Sequence, residues 1–277
     1  MNKPKRSRPQ KRQNRQSGAR SGGPQSRPRK DGGSSGAGGN RYWLTGAHPV
    51  AAALANPERR CGRLVATEQA AESIAAAAAR RGIAIEVGNR EDIDRLAGPD
   101  SVHQGLALEV LPLEPPALTD LPDAQPGRPL LILDQVTDPR NVGAILRSAA
   151  VFGAVAVVVQ DRHAPPETAA LAKTASGALE TVPFVRVGNL ARAIDEMKQL
   201  GYWIVGLAGE AEETMTDLPV DRPLALILGA EGDGMRRLTR EACDGIVRIA
   251  MAPNAVGSLN VSNAAAVALY AASIRKG

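Results

Sequence analysis

The sequence predicts an α/β protein whose larger part is a mostly parallel sheet covered by helices on both faces. From residue 128 onward, short apolar runs rich in Leu, Ile and Val alternate with segments of helical periodicity. Continuous apolar runs are typical of strands buried on both faces, and their alternation with helices is typical of parallel β-α units. The chain has 277 residues, of which 43% are hydrophobic, so it is long enough to bury a full core and to form two domains.

Six strands and five helices are expected in residues 128–277. The predicted strands are Leu130–Val136, Ala154–Gln160, Val182–Val187, Trp203–Ala208, Leu224–Gly229 and Ile246–Met251. The predicted helices are Asn141–Phe152, Glu167–Leu179, Leu190–Gln199, Met235–Asp244 and Val261–Ile274. We find no internal repeat and no heptad pattern in the sequence.

A second, smaller α/β domain is expected at residues 41–111. Its apolar runs Arg63–Ala66 and Ile83–Val87 flank a helical pattern at Ala70–Arg80. The five prolines of residues 112–127 prevent a regular helix and predict a semi-rigid linker between the two domains.

The net charge of +5 is unevenly distributed along the chain. Residues 1–41 contain 12 Lys or Arg and a single acid, Asp31, so their charge is +11, and the remaining residues carry −6. Residues 1–40 are nearly free of apolar side chains and are expected to be disordered. Three roles stay open for this basic tail: an arm that binds phosphate backbone, a solubilising tail and, less favoured because an apolar face is missing, a transit peptide.

Composition argues against several classes of protein and site. The two cysteines, Cys61 and Cys243, lack metal-ligand spacing, which disfavours a zinc site or a disulfide framework. No run approaches the roughly 20 apolar residues of a membrane span, and no signal-peptide core is present. We interpret His48 and His103 as structural hydrogen-bonding groups, and covalent hydrolysis is disfavoured because residues 128–277 contain one histidine, His163. A cytoplasmic protein without a metal is therefore expected.

Polar residues follow the first predicted strand of the larger domain and open a helix. Asn141 and Arg147 lie within two turns of one another beyond this strand end, where ligands bind in open α/β sheets. Asn141 is suited to cap the helix, which is the simpler interpretation of that residue. Arg147 is a permanent cation among Ala, Ile and Leu residues, and a charge in so apolar a helix generally requires an anionic partner.

Two further predicted strands end in turns that contain candidate ligand-binding residues. Residues 229–234 have Gly-x-x-Gly-x-Gly spacing, which matches neither the dinucleotide fingerprint nor a phosphate-binding loop. The glycines permit a flat ligand to approach the backbone beside Glu231, and the alternative is a tight turn with a solvated acid. In the third turn Ser258, Asn260 and Ser262 are each able to cap the following helix. Three such strand ends on one sheet predict a pocket.

These three segments resemble the three ordered motifs of the SpoU (TrmH) family of RNA ribose 2'-O-methyltransferases, in the SPOUT class. The motifs read Asn141-x-Gly-x-Ile-x-Arg147, Leu228-Gly-Ala-Glu-Gly-x-Gly234 and Ser258-Leu-Asn-Val-Ser262. Residues 173–183 and 103–105 extend the resemblance, and only residues 1 to about 40 fall outside it.

The resemblance implies a fold, a cofactor and partners. It implies an α/β methyltransferase domain with a deep trefoil knot at residues 128–277, an L30e-like RNA substrate-binding domain at residues 41–111, and a homodimer. The implied cofactor is S-adenosylmethionine, with contacts at Gly229, Ile249 and Leu259. The small domain favours a guanosine of 23S rRNA as the substrate, free or within an assembling large subunit. The alternatives are a tRNA ribose methyltransferase of the same family and a non-catalytic RNA-binding ribosome assembly factor.

The resemblance also implies a catalytic set, namely Asn141, Arg147, Glu231, Ser258 and Asn260. Because a ribose 2'-hydroxyl is a very weak acid, methyl transfer requires in-line placement of its oxygen and stabilisation of the developing negative charge. Arg147 is therefore expected to bind the adjacent phosphate and to stabilise the forming alkoxide. Its guanidinium is too basic to lose a proton readily, which argues against a role as the base.

Overall fold

The computed structural model describes residues 41–98, 101–219, 221–252 and 258–274. The basic tail at residues 1–40, for which disorder is predicted, lies outside the described residues. Within the described part of the chain, no helix combines the length and the apolar character that crossing a membrane would require.

The smaller α/β part forms a four-stranded sheet with three helices. Its strands are β1 (Tyr42–Thr45), β2 (Cys61–Ala66), β3 (Ile85–Val87) and β4 (Leu106–Val110), and its helices are α1 (Ala47–Ala55), α2 (Glu68–Arg81) and α3 (Arg90–Ala97). The strand order is β1-β4-β2-β3, in which β4 is antiparallel to both neighbours and β3 is parallel to β2.

The sequence analysis did not predict α3 or β4. Helix α3 has only eight residues, of which Ile93 and Leu96 pack in the core, and it begins with a capping box between Asn89 and Asp92. Strand β4 follows a turn in which Gln104 and Gly105 have φ of 50° and 76°. The sequence carried a signal for both elements, since Asn89 and Asp92 have capping-box spacing and Leu106–Val110 is a mostly apolar run.

His103 has a structural role, in agreement with the sequence analysis. Its Nδ1 accepts a hydrogen bond from the Gly105 N–H at 3.0 Å, and its Nε2 lies 3.1 Å from a carboxylate oxygen of Asp94. Because the accepting Nδ1 carries no proton, the Nε2–H is the donor to Asp94. The ring thereby ties α3 to the turn before β4.

The larger part forms a seven-stranded sheet in which every described pairing is parallel, so the predicted fold class is confirmed. The strands are β5 (Leu130–Asp134), β6 (Val157–Gln160), β7 (Phe184–Val187), β8 (Trp203–Leu207), β9 (Glu213–Thr214), β10 (Leu224–Gly229) and β11 (Gly245–Arg248), in the order β7-β6-β5-β10-β8-β11-β9. Most strands are shorter than predicted, and β9 was missed because two residues carry no pattern.

Helices cover both faces of this sheet. They are α4 (Pro139–Val151), α5 (Ala169–Ala175), α6 (Leu190–Gln199), α7 (Arg237–Glu241) and α8 (Val261–Ser273). Alternate residues of β5 enter different cores: Leu131 and Leu133 pack in the cluster with α4, α5 and α8, and Leu130 and Ile132 pack in the cluster with α6. This arrangement explains why the strand reads as a continuous apolar run.

Three helix predictions need correction. Helix α4 begins at Pro139 rather than Asn141, because the Asp138 side chain accepts from the Arg140 N–H at 2.9 Å and proline suits the first helical position. The predicted helix Glu167–Leu179 is interrupted after α5 by residues 176 and 177, and the one predicted at Met235–Asp244 is only α7.

The interruption after α5 has a packing reason. Ser176 and Gly177 have φ of 52° and 94°, which ends the helix. A Cβ at Gly177 would lie 3.0 Å from the Ala52 Cβ and 3.4 Å from the His48 carbonyl oxygen, both in α1. The glycine therefore permits close contact between α1 and the segment that follows α5.

Candidate active site

Except for Arg147, the predicted site residues meet where β5, β10 and the start of α8 come together. Strand β5 ends at Asp134, directly opposite Gly229 at the end of β10. Because the carboxyl ends of parallel strands share one edge of the sheet, the turns after β5 and β10 lie side by side. The helix start at Asn260 reaches the same place, where Asn260 is hydrogen-bonded to Asn141 and Glu231.

Three side chains from the three motifs form one hydrogen-bonded group. The Nδ2 of Asn260 donates to the Oδ1 of Asn141 at 3.1 Å and to the Oε1 of Glu231 at 2.5 Å. The same oxygen of Glu231 also lies 3.3 Å from the backbone N–H of Val261. Residues 119 positions apart in the sequence are thereby joined, and we call Asn141, Glu231 and Asn260 the polar triad.

The orientation of the Asn260 amide is fixed at both ends. Its Oδ1 accepts from the backbone N–H of Ser262 at 2.9 Å and from the hydroxyl of Ser262 at 2.6 Å, so Asn260 is the N-cap of α8. Its Nδ2 then faces the other two members of the polar triad. Among the described residues, the Asn141 Nδ2 and the Glu231 Oε2 have no hydrogen-bond partner. These two groups can therefore bind a ligand.

A cavity of about 640 Å³ adjoins the polar triad. It includes every cofactor position predicted from the sequence, namely Gly229, Ile249 and Leu259, together with Glu231, Ser258 and Asn260. Large apolar side chains remain exposed here: Met251 and Leu259 are 41% and 40% accessible. The volume and the partly apolar walls are typical of a site for a small molecule.

The Gly-rich turn at residues 229–235 forms one wall of the cavity. A Cβ at Gly229 would lie 2.1 Å from the Gly234 carbonyl carbon, so only glycine fits there. Gly232 and Gly234 have φ of 87° and 67°, and Ala230 exchanges two backbone hydrogen bonds with Gly234 at 3.0 and 3.1 Å. The turn is therefore a tight, internally bonded structure with Glu231 in it.

Arg147 stands apart from the polar triad. It is exposed on α4, does not line the cavity, and makes no hydrogen bond or ion pair with any described residue. No described residue supplies the anionic partner that the sequence predicts for this charge, and the side chain is exposed on the helix surface. The side chain is free to meet an external anion.

The structure adds an acidic residue that the sequence analysis missed. Asp134 is fully buried at the end of β5, where its carboxylate accepts from the backbone N–H of Arg236 at 2.9 Å and from the Arg236 Nε at 2.7 Å. The available signal was the acid itself, because an Asp that ends an apolar strand requires a partner when buried.

The described part of the chain contains neither a metal-binding cluster nor a reactive cysteine thiol. No group of three or more His, Cys, Asp or Glu residues there could hold a metal ion. Burial raises the pKa of the Cys243 thiol to about 11, and burial also raises the pKa of Cys61. Both thiols are therefore protonated at neutral pH and are weak nucleophiles.

Comparison with known proteins identifies the family. Residues 128–270 match the SpoU rRNA Methylase family, and residues 43–116 match a domain described as RNA 2'-O ribose methyltransferase substrate binding. The chain belongs to the SpoU rRNA methylase family. The resemblance drawn from the three motifs is thus confirmed for this SpoU methylase.

Two curated relatives of the SpoU methylase carry the same name. A Pseudomonas syringae protein named 23S rRNA (guanosine-2'-O-)-methyltransferase RlmB is 41% identical over 237 residues, covering 83% of this chain and 94% of the relative. The Vibrio cholerae protein of the same name is 47% identical over 196 residues, covering 70% and 78%.

Two solved structures have a similar fold. The SpoU methyltransferase AviRb from Streptomyces viridochromogenes in complex with AdoMet superposes with a TM-score of 0.70 at 24% identity, over 84% of this chain and 89% of that one. An RNA 2'-O ribose methyltransferase superposes with a TM-score of 0.68 at 25% identity, over 85% and 88%.

Proposed function

We propose that this SpoU methylase transfers a methyl group from S-adenosylmethionine to the ribose 2'-hydroxyl of a guanosine in 23S rRNA. The polar triad at the edge of the cavity carries the proposal, because it brings one residue from each motif into a single hydrogen-bonded group. The relatives at 41–47% identity are named for 23S rRNA, which favours rRNA over tRNA and over a non-catalytic assembly factor.

The cavity suits S-adenosylmethionine in size and charge. Its volume of about 640 Å³ lies within the range of small-molecule sites. Among its described lining residues, Glu210, Glu231 and Asp233 outnumber the single cation Arg240, and an excess of acids favours a cationic sulfonium. We assign Gly229, Ile249 and Leu259 to cofactor binding, through backbone groups and apolar contact.

The unpartnered groups of the polar triad orient the nucleophile. When bound, the cofactor supplies a methyl group on a positively charged sulfur. The Oε2 of Glu231 accepts a hydrogen bond from the ribose hydroxyl, and the Nδ2 of Asn141 donates one to a sugar oxygen. Asn260 holds both residues in place, and Ser258 completes the hydrogen bonding from the cavity wall.

Arg147 binds the RNA backbone. An exposed guanidinium without a partner among the described residues is available for a phosphate, with which it can form two parallel hydrogen bonds. In that position its charge also stabilises the negative charge that develops on the 2'-oxygen.

The methylase forms a homodimer through α4 and α8. Val151, Val267, Tyr270 and the α8 C-cap residue Ile274 are large apolar residues that remain 41% to 71% exposed. Tyr270 also contacts Phe152 edge to face at 5.8 Å, which joins the two helices into one apolar surface. Arg147 is one helical turn from Val151, so a second copy on this surface would lie next to Arg147.

The roles of the separate parts of the chain follow from this activity. Residues 41–111 act as the substrate-binding domain, residues 112–127 as a linker and residues 128–277 as the methyltransferase domain. The protein works in the cytoplasm on free 23S rRNA or on an assembling large subunit.

The test is methyl transfer from labelled S-adenosylmethionine to unmodified 23S rRNA and, separately, to total unmodified tRNA, with the labelled position mapped by nuclease digestion. Label on a ribose 2'-oxygen of a guanosine in 23S rRNA is expected. Label in tRNA alone would overturn the rRNA assignment. Cofactor binding without label in either RNA or in ribosomal particles would overturn the assigned activity.

A further inference from the structure

Three neighbouring strand ends are connected by a hydrogen-bond chain centred on Arg236. Its Nε and backbone N–H bind Asp134 at the end of β5, and its Nη2 donates to the Gln160 Oε1 at 2.9 Å at the end of β6. Gln160 in turn donates through Nε2 to the Gly188 carbonyl oxygen at 3.2 Å, just beyond β7. These hydrogen bonds thus extend from β5, which neighbours the central strand β10, to the edge strand β7.

Arg236 also ends the Gly-rich turn. The first end of the turn is Gly229, which pairs with Asp134 in the β5–β10 ladder. The other end is Arg236, whose backbone N–H and side chain both bind the Asp134 carboxylate. One buried residue therefore fixes both ends of the turn that lines the cavity and carries Glu231.

We propose that Asp134 and Arg236 are positioning residues that hold the Gly-rich turn in the conformation that binds the cofactor and presents Glu231. The expected change in KM rests on the proposed function. The expected change in the conformation of the turn rests on the described geometry alone. Asp134 does not line the cavity, so it acts through the turn rather than by touching the cofactor.

Because Asp134 is buried, removal of its charge should weaken its interaction with Arg236. Asp134 is 0% exposed, so its charge depends on Arg236 for compensation, and Arg236 is 37% exposed and can leave when the charge is lost. Asp134→Asn keeps the shape of the side chain and one acceptor oxygen but removes the charge. Arg236→Lys keeps the charge but cannot bind Asp134 and Gln160 together through one planar group.

The first experiment is amide hydrogen exchange without cofactor on the full chain. We expect the amides of Ala230 and Gly234 to exchange at least about tenfold faster in Asp134→Asn than in the wild type. Arg237→Gln is the matched control, because Arg237 is adjacent in sequence but forms an exposed ion pair with Glu241 at 2.6 Å. Unchanged exchange in a folded Asp134→Asn protein would overturn the proposal, and Arg236→Lys decides the matter if that variant does not fold.

The second experiment compares the effect of Asp134→Asn on the KM for S-adenosylmethionine with its effect on the KM for rRNA. We expect the KM for S-adenosylmethionine to rise about tenfold in Asp134→Asn, with the KM for rRNA within about twofold of the wild type. A purely structural role would lower the unfolding temperature and leave both KM values unchanged, which would overturn the inference. A wild-type protein without methyl transfer would instead count against the proposed function, and the exchange result would still stand.

Discussion

Arg59 donates from Nε and Nη2 to the carboxylate of Glu180, with the Nη2–Oε1 distance at 2.6 Å. The two residues are 121 positions apart, and their side chains are 0% and 3% exposed. Arg59 also donates from Nη1 to Glu167 at 2.5 Å, and Tyr42 donates to the same Glu167 oxygen at 2.6 Å. A buried cluster of charges therefore joins the N-terminal α/β part to the segments around α5.

Breaking this cluster is expected to destabilise the fold. Arg59→Leu leaves Glu167 and Glu180 buried without a cation, which costs about 3–5 kcal/mol where one partner of a buried pair is removed. Urea unfolding of the two proteins measures the difference. Arg63→Leu is the control, because Arg63 pairs with Glu86 on the exposed surface and its loss should change stability little. Equal effects of both substitutions would contradict the assigned importance of burial.

Removal of the exposed cation on α4 should separate binding from catalysis. Arg147→Ala is expected to reduce methyl transfer at least about a hundredfold, because a phosphate contact and charge stabilisation are both lost. Calorimetry should find the affinity for S-adenosylmethionine unchanged, since Arg147 does not line the cavity. Arg192→Ala, at another exposed arginine on α6, should keep full activity. Parallel loss of cofactor binding would refute the role of Arg147.

The polar triad can be broken without removing the cap of α8. Asn260→Asp keeps the oxygen that accepts from Ser262 but loses both Nδ2 donors and places a negative charge beside Glu231. We expect kcat to fall about a hundredfold or more while the unfolding temperature changes by only a few degrees. Single-turnover methylation and thermal unfolding measure the two quantities. Nearly normal kcat in a stable variant would mean that the amide is only a helix cap.

Gly229 is expected to tolerate no side chain. Because a Cβ there would lie 2.1 Å from backbone atoms of Gly234, Gly229→Ala must displace the Gly-rich turn and should abolish measurable cofactor binding. Gly188→Ala is the control, since a Cβ at Gly188 meets no atom of the described residues within 4 Å. Normal affinity of Gly229→Ala for S-adenosylmethionine would remove the turn from the cofactor site.

The apolar surface of α4 and α8 predicts the oligomeric state. Tyr270→Asp places a charge in this surface, so the homodimer should dissociate to monomers in sedimentation equilibrium. Leu238→Asp, at an exposed apolar residue on α7, should leave the dimer intact. A wild-type monomer, or a dimeric Tyr270→Asp protein with native circular dichroism, would place the interface elsewhere or exclude it.

The sequence determined the fold class, the six main strands and the motifs of the site. Buried parallel strands require continuous apolar runs, and the residues that the ligand meets must follow strand ends, so both leave local signals. Asn141, Glu231 and Asn260 were therefore predictable from their places after strand ends, whereas Gly229, Ile249 and Leu259, which line the cavity, were implied only by the family resemblance. The trefoil knot and the domain boundaries stay predictions.

Tertiary structure alone decided which partners these residues have. Asp138 rather than Asn141 caps α4, which frees Asn141 to accept from Asn260. Asp134 meets Arg236 only because β5 and β10 lie side by side, although 102 residues separate the pair. Contacts between distant segments depend on how the sheet is ordered, and the order of parallel strands is set by global packing rather than by any local pattern.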